Sequence, residues 1–207
     1  MSSPPNELDK SDTSDESGKK LGMWLFLYTE IILFGGLFVL YAVYFSKYTA
    51  DFIEGGKELN TMFGAINTII LLISSFAVAA SITAIQKSEK KKAMAGLFTT
   101  ILCGLIFLIN KYFEWGHKIE HGIFPNSEKL VEGPPGQNIF FGLYYVITGL
   151  HGVHIVIGMT LLIVSIVFVQ FKKINAKQFA LLENSGLYWH LVDLIWIFIF
   201  PLFYLVI

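Results

Sequence analysis

Residues 138–169 read NIFFGLYYVITGLHGVHIVIGMTLLIVSIVFV, an apolar run without a lysine, aspartate or glutamate. At 1.5 Å per residue a helix of this length exceeds the ~30 Å hydrocarbon core of a bilayer, which about 20 residues cross. In lipid a backbone must satisfy its own polar groups, and the run has no strict polar alternation of the kind that marks a barrel strand. It therefore reads as a membrane helix. Four more runs of the same kind occupy residues 22–45, 63–86, 94–114 and 187–206. The predicted fold class is all-α: an integral membrane bundle of five transmembrane helices formed by residues 21–207.

Composition agrees, since 54% of the 207 residues are hydrophobic and 15% charged, too apolar a balance for a water-soluble domain. The single cysteine, Cys103, rules out an internal disulfide framework or a thiolate metal site. A net charge of -1 leaves no basic face for nucleic acid. The 15 cations are all lysine, which disfavours a bidentate grip on phosphate. Residues 1–20, MSSPPNELDKSDTSDESGKK, bury too little to offset the entropy of ordering and are expected to form a disordered polar N-terminal tail. Acidic and without a small-residue cleavage site, the tail is not a signal peptide.

Lysine placement sets the expected orientation. Lys10, Lys19 and Lys20 of the tail, Lys87, Lys90, Lys91 and Lys92 of the second loop, and Lys172, Lys173 and Lys177 of the fourth fall on one side. The other side has Lys47, Lys57, Lys118 and Lys129, with Lys111 near the end of the third helix. The positive-inside rule then places the N-terminus in the cytoplasm and the C-terminus on the periplasmic side.

Ionisable residues within spans are costly and are the functional candidates. Glu30 lies eight residues into the first helix, roughly 12 Å deep, and needs a partner there. Both a structural tie and a proton-handling role fit it. The fourth helix places His151 and His154 at i and i+3 with Gly149 and Gly152 beside them, where a partner helix can approach closely. The fifth places His190 and Asp193 on one face, a proton relay or a docking pair, and Trp189 and Trp196 at i and i+7. Glu114, beside Trp115, reads as an interfacial carboxylate at the end of the third helix. Ligation is a further reading of the histidines: a haem b membrane cytochrome using His151 or His154 with His190. A small proton-coupled transporter with Glu30 as carrier is another. No hydrolytic, phosphate-binding or paired-carboxylate constellation is present.

Three segments together carry a resemblance: Trp24-Leu25-Phe26-Leu27-Tyr28-Thr29-Glu30-Ile31-Ile32-Leu33-Phe34-Gly35-Gly36, Thr148-Gly149-Leu150-His151-Gly152-Val153-His154, and Tyr188-Trp189-His190-Leu191-Val192-Asp193-Leu194-Ile195-Trp196. In this order they resemble the signatures of subunit III of the haem-copper terminal oxidases, and Phe113-Glu114-Trp115 resembles that family's acidic-aromatic pair. The resemblance covers nearly all of residues 21–207. The family's longer members have two further N-terminal helices, so the chain is similar to the short, five-helix bacterial form.

The resemblance implies a non-redox accessory subunit of an aerobic respiratory oxidase, of the cytochrome c oxidase type, in a bacterial inner membrane. It implies that this chain binds no metal or haem, that haem and copper reside in partner subunits, and that phospholipid is a bound component. The implied partners are subunit I as main contact, subunit II and the other oxidase subunits, and membrane lipid, with no nucleic acid. Carried over by motif, Glu30, His151, His154, His190 and Asp193 form an interhelix or proton-handling cluster. Trp24, Glu114, Trp189 and Trp196 are then subunit or lipid contacts, and no residue is catalytic.

Overall fold

The structure, a computed structural model, describes residues 7–174 and 179–205. Its helices are α1 (Glu7–Lys47), α2 (Thr49–Lys57), α3 (Thr61–Gln86), α4 (Lys90–Glu120), α5 (Glu128–Val131), α6 (Pro135–Gln170) and α7 (Ala180–Tyr204), and the described residues contain no strand. Five helical stretches are long and apolar enough to cross a membrane: Leu21–Lys47 of α1, and all of α3, α4, α6 and α7. These are the five runs of the sequence, most of them extended at one or both ends.

Local chemistry explains the boundaries. The Asn60 side chain caps α3 by accepting from the backbone N–H of Met62 and Phe63 at 3.0 and 3.4 Å. Pro134 and Pro135 open α6, where the fixed φ suits a first turn and the missing N–H costs nothing. The Gly136 N–H of that turn donates to Asp51 Oδ2 at 3.0 Å, so the short helix α2 caps a membrane helix from outside. Between α3 and α4 the chain reverses through Ser88 at φ 61.

Three boundaries differ from expectation. Helix α1 starts at Glu7, so helical backbone takes in residues 7–20 of the polar stretch. Extending a formed helix is far easier than nucleating one, and acidic residues suit its N-terminal end. Residues 1–6 lie outside the described part. Helix α4 runs to Glu120, six residues beyond 114, with the Lys118 ammonium bonded to the Glu58 carbonyl at 2.8 Å. Helix α7 starts at Ala180, seven residues before the apolar run at 187, and takes in Asn184-Ser185-Gly186. Ser185 and Gly186 are buried there, and packing overrides their weak propensity.

The same ends meet. Tyr41 donates its hydroxyl to the Leu202 carbonyl, Thr61 to that of Tyr204 at 3.1 Å, and Lys118 reaches Glu58, which gathers one end of the bundle. At the other end, Lys90 donates to the Gln170 carbonyl at 3.2 Å. The most buried span is α7, packed against α1, α3 and α6, while α1 is the most peripheral. The outer surface is apolar, with Ile32, Phe76 and Tyr112 largely exposed. In water such a surface would be an aggregation liability, and in a bilayer it is solvated by lipid.

Candidate functional site

One ionisable pair joins the peripheral helix to the bundle. His154 of α6 and Glu30 of α1 approach to 2.7 Å (Nε2 to Oε2), both largely buried. The His154 Nδ1 lies 2.7 Å from the Leu150 carbonyl, which only accepts, so Nδ1 carries a proton. A single further proton then lies between Nε2 and the carboxylate, as imidazolium with carboxylate or as imidazole with carboxylic acid. Either form is neutral overall, the condition that apolar surroundings impose. Phe34 and Tyr188 flank the imidazole, with ring centroids 5.2 and 6.4 Å away.

The other candidates are placed separately. His151 is fully buried between Phe107 and Trp196, and neither ring nitrogen has a partner among the described residues. His190 Nδ1 meets Ser75 Oγ at 2.6 Å. Both Asp193 oxygens are buried without a hydrogen-bond partner among the described residues. His151 and His154 thus face different helices despite their i, i+3 spacing. His154 has both nitrogens engaged, and His190 is turned to α3.

Four expectations are corrected. Trp189 and Trp196 are fully buried, their indole N–H groups donating to Ser74 Oγ and Thr68 Oγ1 at 3.0 Å each. They tie α7 to α3 and cannot touch a partner subunit or lipid. Glu114 is not interfacial: it is 8% exposed, because α4 continues beyond it. Close helix approach does not occur at Gly152, where an added Cβ would first meet Leu108 at 3.9 Å. It does occur at Gly149, where a Cβ would lie 3.1 Å from the Trp115 ring of α4, and also at Gly104 and Gly158, where it would lie 2.9 and 2.8 Å from the Trp189 ring. Trp24, by contrast, is 52% exposed on α1.

The sequence reading missed the most connected polar cluster. The buried Lys111 ammonium donates to Glu114 Oε2 at 3.0 Å and to the hydroxyls of Tyr144 and Tyr204 at 3.0 and 2.8 Å, using all three N–H groups. Each tyrosine then donates to Glu114 Oε1, at 2.8 and 2.7 Å. This closed network joins α4, α6 and α7, and Glu114 also borders a cavity of ≈ 640 Å³ shared with Glu58, Phe63, Phe113, His117 and Lys118. Its sequence signal was a lysine and a glutamate at i, i+3 in an apolar helix. Nearby, Asn110 donates to Asn67 at 2.9 Å across α4 and α3.

Among the described residues no group of three or more His, Cys, Asp or Glu is arranged to hold a metal ion. Comparison with known proteins decides between the readings left open. Residues 8–206 match the family described as Cytochrome c oxidase subunit III. The chain belongs to that family. It is 30% identical over 212 residues to the probable quinol oxidase subunit 3 of Staphylococcus haemolyticus, covering 100% of this chain and 97% of the relative. It is 33% identical over 190 residues to the cytochrome c oxidase subunit 3 of Synechocystis sp., covering 90% and 75%. Against the cytochrome bo(3) ubiquinol oxidase subunit 3 of Buchnera aphidicola the identity is 31% over 198 residues, covering 94% and 89%. This subunit III is thus a multi-pass membrane protein and the accessory subunit of a haem-copper oxidase, a family that is generally non-redox. Neither the membrane cytochrome nor the transporter is favoured.

Proposed function

We propose that this subunit III packs against subunit I of an aerobic respiratory oxidase in a bacterial inner membrane, holding the complex together and keeping proton uptake into subunit I functional. Haem and copper belong to the partner subunits, and subunit II, the other oxidase subunits and membrane lipid complete its surroundings. The exposed face of α1, with Trp24, is the surface assigned to subunit or lipid contact. The observation that carries the reading is the Glu30 to His154 pair, which fixes the otherwise loosely packed α1 against α6. His151, His190 and Asp193 are assigned separate interhelix roles in the same bundle, His190 toward Ser75 of α3.

The test substitutes Glu30 in the assembled oxidase and follows oxygen uptake over many turnovers together with co-purification of subunit I. Glu30→Ala leaves His154 without its partner and is expected to weaken assembly and shorten sustained turnover. Glu30→Gln keeps a donor for His154 Nε2 and is expected to retain assembly. Unchanged assembly and turnover in Glu30→Ala would overturn the role.

A further inference from the structure

At the end of α4 away from the Lys90 turn, two histidines outside the polar interior stand one helical turn apart. His117 and His121 are both exposed, and their ring centroids are 4.3 Å apart. Two imidazoles at i and i+4 on one helical face are a ligand pair for a transition-metal ion.

Three independent features point the same way. The His121 Nδ1 lies 2.7 Å from the His117 carbonyl, so Nδ1 carries the proton and the Nε2 lone pair is presented to solvent. This is how metal-ligating histidines are held, with the second ring nitrogen donating to a backbone carbonyl. The pair also sits on the last turn of α4, where the outward carbonyls and the helix dipole favour a cation. Finally, the residues gathered at this end, 47–60 and 111–137, contain seven carboxylates against five lysines. Lys118, next to His117 in sequence, has its ammonium bound to the Glu58 carbonyl.

We propose that His117 and His121 form a surface site for one divalent transition-metal ion of the zinc, nickel and copper class, bound through both Nε2 atoms with water completing the shell. Imidazole suits these ions better than the hard cations magnesium and calcium. Zinc binds imidazole nitrogen at about 2.0–2.1 Å, a span the exposed His117 ring reaches by side-chain rotation. His117 also lines the cavity beside Glu114, so the ion sits at the rim of that cavity.

Zn2+ binding to the purified oxidase complex, by equilibrium dialysis at increasing Zn2+, tests the site in three forms: wild type, His117→Ala and His121→Ala. The expected result is one Zn2+ more per complex in wild type than in either variant over the range where that ion saturates, with at least a tenfold weakening in each variant. Diethyl pyrocarbonate modification mapped by peptide mass gives a second readout, in which Zn2+ protects both histidines. Equal binding in all three complexes overturns the proposal. So does loss in only one variant, because two ligands are required.

Discussion

Lys111 is surrounded by the three groups that its three N–H bonds need, and each of those groups depends on it in turn. Taking two charges out of water is so costly that a buried pair adds little net stability, yet removing one partner strands the other. Lys111→Met is therefore expected to destabilise the subunit by about 3–5 kcal/mol, read as a lowered thermal midpoint of the complex. The double variant Lys111→Met/Glu114→Gln removes both charges and is expected to recover much of the loss. A single variant as stable as wild type would show that the network is not a structural tie. Sequence placed both residues but misjudged their surroundings. With the third helix ended at 114, Glu114 looked interfacial, whereas six more residues of helix, about 9 Å, set it within the bundle. Glu30 was legible for the opposite reason. It lies well inside a span, where a carboxylate must have a partner, and two histidines were available on a neighbouring helix.

At the scale of helices, Trp189 of α7 is wedged between α4 and α6 with its N–H held by Ser74 of α3. It can lie there because Gly104 and Gly158 leave room, and the ring is too rigid and too enclosed to move aside. Gly158→Ala puts a Cβ 2.8 Å from the ring. Although alanine is the better helix former, overpacking outweighs that gain, with an expected loss of about 1–3 kcal/mol. Gly142→Ala on the same helix meets nothing within 4 Å and is expected to be neutral or slightly stabilising. The comparison is made by thermal unfolding of the two variants in parallel, and equal midpoints would refute the wedge. The five spans were legible because twenty apolar residues in lipid have one stable backbone form. Which glycine serves as a contact was not, because Gly149, Gly152 and Gly158 share one apolar helix and only the positions of Trp115, facing Gly149, and Trp189, facing Gly158, distinguish them. The short helices α2 and α5 escaped for want of a long apolar stripe.

For the whole molecule, the fold gathers the loop lysines into two groups that the sequence had already separated. Lys87, Lys90, Lys91, Lys92, Lys172 and Lys173 flank the ends where Lys90 meets Gln170, while Lys47, Lys57, Lys118 and Lys129 flank the opposite ends. Lys177 lies outside the described residues. By the positive-inside rule the lysine-rich first end is expected to face the cytoplasm, with the His117 to His121 pair and the Glu114 cavity on the opposite, periplasmic side. Single cysteines in a Cys103→Ser background test this. Lys91 and Lys129 are both exposed, so each can be replaced by cysteine without opening a packed site. With intact spheroplasts and a membrane-impermeant maleimide, Lys129→Cys is expected to label at once and Lys91→Cys only after permeabilisation. The reverse pattern would invert the bundle and turn the metal-binding end toward the cytoplasm. It would leave the contacts among the helices unchanged, because packing fixes which ends meet and charge decides which of them faces the cytoplasm.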